Sequence, residues 1–123
     1  MQLVKVASLE TNGKRLCCIC AVPSKSVVLA AYEGIFLFDA TSGKLLRSLE
    51  SNAQFCSVAV DGEDVFLGDR AGRLHQYRFR GRDLEFVNVE SVFQYGNVQV
   101  YVLGKKLAVL GKGKVFLCEK TPP

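Results

Sequence analysis

Tryptophan is missing from these 123 residues, and histidine and methionine occur once each. A single histidine, His75 in RLHQY, excludes sites built from several imidazoles. No nucleophile or carboxylate stands at a recognisable catalytic spacing from it. His75 is expected to be a half-exposed structural residue on a strand, and the chain is expected to have no catalytic residue and no cofactor. No apolar run approaches the roughly 18 residues of a membrane-spanning helix. The opening MQLVKVASLE interrupts its apolar residues with Lys5 and alternates, unlike a secretory leader. Dense Lys/Arg tracts are also lacking, and a net charge of +4 is too mild to single out nucleic acid. Gly111-Lys112-Gly113-Lys114 lacks the lead-in and the Ser/Thr of a phosphate-binding loop. Asp61-Gly62-Glu63-Asp64 is too short for a calcium loop, so both read as hairpin tips.

Cysteine is odd in number: Cys17, Cys18 and Cys20 crowd one apolar run, with Cys56 and Cys118 far away. That pattern does not form a disulfide framework. Cys17 and Cys20 would make a C-x-x-C metal pair only if a second pair and a turn accompanied them, and residues three apart on a strand point to opposite faces. No metal site is expected. Reduced thiols suit a cytoplasmic protein.

What is present is apolar sequence in short, evenly punctuated pieces. With 49% apolar and 23% charged residues, the chain fits one ordinary globular domain. Three segments align on a central glycine: Val27–Asp39 on Gly34, Val65–Tyr77 on Gly72 and Leu107–Cys118 on Gly113. Gly34 and Gly72 lie 38 residues apart, Gly72 and Gly113 41. Such a period of about 40 residues fits a four-stranded propeller blade. Apolar residues alternate or run in fours, β-branched residues are frequent, and nothing has helical spacing. The chain therefore reads as all-β: a β-propeller segment of about three four-stranded antiparallel blades over residues 1–123. The expected parts are an N-terminal strand at 3–9, blades at 15–50 and 54–90, and an incomplete blade at 97–119. Each inner strand apolar on both sides (VVLAA, LAVL) suits a sheet sandwiched between neighbours.

In one blade the residues are more specific. Gly34, Phe38-Asp39 and then Thr41-Ser42-Gly43-Lys44-Leu45-Leu46 resemble the third and fourth strands of a WD40 repeat, and FDATSGKLL is also similar to quinoprotein-like propellers. The other two blades carry Gln76-Tyr77 and Leu117-Cys118 where the aromatic-Asp pair stands. Without tryptophan or a Gly-His dipeptide, the family's buried Asp-His-Ser-Trp network is not expected. The resemblance implies a non-enzymatic scaffold that binds proteins through the loops joining strands D–A and B–C. On that reading the contact candidates are Lys25, Tyr32, Glu33, Arg70, Arg73, Lys112 and Lys114.

Three blades are fewer than the roughly four to eight that close a propeller. The ring is therefore expected to be completed by another copy, two copies making six blades, or by another chain, or else these residues are one part of a longer propeller. In the first case the 3–9 strand of each copy would complete the third blade of the other. An alternative function uses the basic residues. Alternation in YRFRGR puts Arg78, Arg80 and Arg82 on one side if the strand continues, with Lys105 and Lys106 in the next blade. Phe79-Arg80-Gly81-Arg82 is similar in order to the Phe-Arg-Arg-Gly motif of phosphoinositide-binding propellers. Such a face would hold the phosphates of RNA or of an anionic lipid.

Overall fold

In the computed structural model, which describes residues 2–5, 8–9, 11 and 13–120, eleven strands form three antiparallel sheets. The first blade contains β1 (Leu16–Val22), β2 (Val27–Tyr32), β3 (Gly34–Asp39) and β4 (Leu45–Leu49), paired in chain order. The second contains β5 (Phe55–Asp61), β6 (Asp64–Asp69), β7 (Arg73–Arg80) and β8 (Asp83–Ser91), ordered likewise. The third has β9 (Gln99–Leu103), β10 (Lys106–Gly111) and β11 (Lys114–Glu119), with β10 in the middle. No α-helix occurs among the described residues, and none of their helices is long and apolar enough to cross a membrane. The all-β, blade-repeat reading is the fold observed.

Turn chemistry sets these sheets. The Gly62–Glu63 turn lets Asp61 pair with Asp64 across a two-residue hairpin. In FDATSGK, one Asp39 carboxylate oxygen accepts from the Ser42 amide at 2.7 Å and the Ser42 hydroxyl at 2.8 Å. The Gly43 amide donates to the Asp39 carbonyl at 2.8 Å. The two Ser42 bonds and the neighbouring Arg82 guanidinium hold the Asp39 carboxyl well below the usual carboxylate range. The stretch is a C–D hairpin, as its sequence suggests.

The blades stack in sequence as a fan. Between the first and second lie Val27, Leu29, Ala31, Ile35 and Leu37 against Phe55, Val65, Leu67, Tyr77 and Phe79. Between the second and third lie Ala59 and Phe66 against Val98, Val100, Leu107 and Val109. Polar bonds reinforce that second seam: the Val98 amide donates to the Asp69 carbonyl at 2.9 Å, and the Val100 amide to the Ser57 hydroxyl at 3.0 Å. The outward side of the first blade carries a separate cluster of Ala30, Phe36 and Phe38, against which Leu9 packs.

One expectation stays open and another changes. Residues 3–5 and 8–9 of the expected first strand have no strand pairing within the single copy, while Val6 and Ala7 lie outside the described residues. Leu3 and Val4 are 89% and 79% exposed, and no partner sheet covers them among the described residues. The change concerns YRFRGR. The strand stops at Arg80 because Gly81 turns with φ of 62°, so Arg82 sits in the turn and not in line with Arg78 and Arg80.

All five cysteines are free thiols. Cys18 faces the first seam and donates to the Ala31 carbonyl at 3.5 Å, and burial, then the nearby Cys17 and Cys56 thiols, push its pKa up to about 12. Iodoacetamide at pH 8 is expected to alkylate exposed Cys17 at least about tenfold faster than Cys18, because the thiolate is the nucleophile. Peptide mass spectrometry reads this directly, and equal rates would show that the seam is open.

Candidate interaction face

Consecutive antiparallel strands put all B–C turns and D–A connections at one end of the fan and all A–B and C–D turns at the other. At the first end, the β6–β7 turn is organised by Asp69, whose side chain is wholly buried. One carboxylate oxygen accepts from the amides of Ala71 and Arg73 at 2.8 and 3.0 Å. The other accepts from Arg73 Nε at 2.9 Å and lies 2.8 Å from His75 Nε2. Burial alone would raise the Asp69 pKa. The His75 bond, the two amides and the Arg73 charge outweigh it and leave the pKa lowered.

His75 is therefore not the half-exposed residue expected. It is 8% exposed, with its ring edge-on to Phe55 at 5.0 Å between centroids. Asp69, Arg73 and His75 form a compact arrangement within one turn and strand. Periodicity does not reveal it, because the histidine is supplied by β7, six residues after the aspartate.

The same end carries two further clusters. The Tyr32 ring lies between two guanidiniums, Arg15 at 5.3 Å and Arg70 at 5.2 Å, and Arg70 donates to its hydroxyl at 3.1 Å. Arg15 also bridges to Glu33 at 2.7 Å. The second cluster is a recess of about 330 Å³ between the 92–98 connection and the β10–β11 turn, lined by Val92, Phe93, Tyr95, Lys112, Lys114 and Phe116. Phe93 and Phe116 stack at 5.5 Å, and Lys112 lies over the Tyr95 ring, drawing the phenol pKa down. Lys112 and Gly113 both have positive φ, 54° and 69°, the backbone of a tight hairpin turn. The connection is held by the Gly72 amide donating to Gly96 and the Gly72 carbonyl accepting from Val92 and Phe93, at 2.8 to 3.0 Å. A recess on hydrogen-bonded backbone binds at a smaller backbone-ordering cost than a free loop.

Of the expected contact residues, Tyr32, Glu33, Arg70, Arg73, Lys112 and Lys114 share this end, although Tyr32 is buried and both arginines are engaged internally. Lys25 belongs to the opposite end. It follows β1 in the A–B turn, bridges to Glu63 at 3.0 Å and lies 5.2 Å from the Phe79 ring. The basic candidates do not gather into one open face. Arg78 pairs with Asp64 at 3.2 Å, Arg80 with Glu85, and Arg82 with Asp39 and the Ser26 carbonyl across the first seam. Lys105 and Lys106, at the β9–β10 turn, form no salt bridge among the described residues. Arg15, Phe93, Tyr95 and Phe116 were not singled out from sequence. The aromatic-Gly pair Tyr95-Gly96, placed between two strands, was the available signal for the recess.

No family profile matches the sequence, and no curated protein matches it. Among solved structures, the RRP9 WD40 repeats and U3-55K each align with a TM-score of 0.68 and 16% identity, over 82% of this chain and 34% of theirs. The chain thus spans about a third of those structures. The computationally designed Ika4 protein aligns at a TM-score of 0.53 and 14% identity, over 96% of this chain and 99% of its own. The fold is that of WD40-like β-propeller blades.

Proposed function

We propose that this chain is a non-enzymatic protein-interaction module working inside a larger assembly, its ring completed by another chain, with a homodimer of twice three blades as the favoured form. One observation carries the reading: the outward face of the third blade is apolar and exposed, where the other two inter-blade faces are buried. A monomer rarely keeps such a face in water. On this reading the end bearing Arg15, Tyr95 and Lys112 is the partner-binding surface, since aromatic and arginine side chains dominate protein interfaces. The free thiols suit a reducing compartment such as the cytoplasm. Phosphate recognition has less support, because Arg78, Arg80 and Arg82 each already hold a carboxylate. Light scattering of the purified chain tests the assembly: a mass of at least two copies is expected, alone or after adding lysate fractions. A stable 13.5 kDa monomer that captures no protein would overturn it.

A further inference from the structure

The two ends of the fan differ in what they leave uncovered. Aligned from the start of each second strand, Leu29 and Ala31 of β2, Phe66 and Gly68 of β6, and Ala108 and Leu110 of β10 occupy the same positions. The first pair is buried in the seam with the second blade, and the second pair packs towards the third. The third pair has no blade upon it. Cross-strand register surrounds it with Tyr101, Leu103, Val115 and Leu117, each between 53% and 65% exposed. Beside this face, β11 is a sheet edge with no fourth strand on it among the described residues.

At the far end of the fan, the outward cluster of the first blade is closed by Leu9. Leu9 packs with Phe36, Phe38 and Leu45 much as Leu49 of β4 joins the cluster holding Tyr77 and Phe79 of the next blade. It therefore stands where the outer strand of a preceding blade would stand. Just before it, Leu3 and Val4 are exposed and their backbone pairs with no strand among the described residues, while Ile19 on the innermost strand of the same face is 67% exposed.

One end thus has an inner blade face with a bare edge, and the other has an outer segment with no inner strands beside it. Both cannot be satisfied within a three-blade fan, but a two-fold axis brings each to the other's complement. We propose that a second copy of this chain docks on the Tyr101–Leu103–Val115–Leu117 face, with residues 2–5 of each copy pairing along β11 of the other. The face continues the packing of the two seams within the chain, and twice three blades falls within the closing range of roughly four to eight. Strand addition supplies backbone hydrogen bonds, and the face supplies apolar burial.

This proposal rests on the assembly reading above, and its test separates the two. Light scattering and sedimentation are measured on the full chain, on Leu117→Asp, on Val4→Pro/Lys5→Pro, and on Val89→Lys as an exposed apolar control on β8. Leu117→Asp puts a charge into the dimer seam and is expected to weaken dimerisation at least about a hundredfold. The double proline removes adjacent donors from a segment that is unpaired in the single copy. It is expected to weaken dimerisation roughly tenfold while leaving the circular dichroism unchanged. Val89→Lys is expected to leave the mass unchanged. A wild-type chain that stays monomeric overturns the proposal together with self-assembly, while capture of a different protein would keep the broader reading. A wild-type dimer that both test variants leave intact overturns the proposal alone.

Discussion

Replacing Asp69 with alanine is expected to destabilise the fold by about 3 kcal/mol, among the largest effects of any polar substitution in the chain. The side chain is wholly buried and receives the amides of Ala71 and Arg73, the Arg73 guanidinium and the His75 ring. Truncation strands the buried His75 ring away from water and removes the acceptor that shapes the turn. The cost comes from what is left unpaired more than from the bonds lost. Urea denaturation at fixed protein concentration measures it, since assembly would otherwise shift the midpoint. Asp69→Asn keeps the shape and one acceptor, so a smaller loss is expected.

The pH dependence has a definite sign. Asp69 has a folded-state pKa below its ordinary value of 3.8. Its ionised form therefore contributes stability above about pH 4, and that contribution is lost as pH falls through the folded-state value. The difference between wild type and Asp69→Asn is expected to narrow below pH 4. A gap that stayed constant down to pH 2 would show that the carboxylate charge does not hold the turn.

Gly68→Ala is expected to cost about 3 kcal/mol by overpacking. A Cβ at Gly68 would lie 2.7 Å from the Val98 carbonyl carbon and overlap its oxygen. The strain falls on backbone, which cannot rotate aside. Relief requires β9 to move away, which breaks the Val98 bond to Asp69 and the 3.3 Å contact of the Cys56 thiol with the Val98 carbonyl. Hydrogen exchange should then rise in β9 and β10 while β2 and β3 keep their protection. Gly62→Ala is the control: its Cβ meets nothing within 4 Å, and only its φ of 60° opposes it, a cost of about 1 kcal/mol. Equal losses at the two glycines would show that the second seam is not tightly packed.

The blade repeat was legible because it is written in local terms. Alternation, a glycine every 38 to 41 residues and Asp-Gly or Ser-Gly turns each act within a few residues, so sequence alone carries them. Gly34–Leu49 resembled a WD40 hairpin for the same reason: Asp39, Ser42 and Gly43 satisfy one another within the turn. Side chains that act between blades were misjudged. Arg82 reads as part of a basic strand face, yet it reaches 43 residues back to Asp39. Lys25 reads as a loop residue like the others, yet it lies at the opposite end and bridges to Glu63. His75 reads as half-exposed because its partner lies across a turn whose geometry periodicity does not describe.

Sequence by itself determined that this chain is all-β, built from a blade-like unit repeated about three times, and without an evident catalytic motif. Tertiary structure decided which arginines are spent on internal carboxylates, that Asp69 and His75 form a buried pair, that Phe93, Tyr95 and Phe116 share a recess with Lys112, and which apolar face stays uncovered. The division has a physical cause. Strand and turn preferences are set by neighbours along the chain, whereas burial and ion pairing depend on which sheets stack, and stacking brings together residues some 40 positions apart.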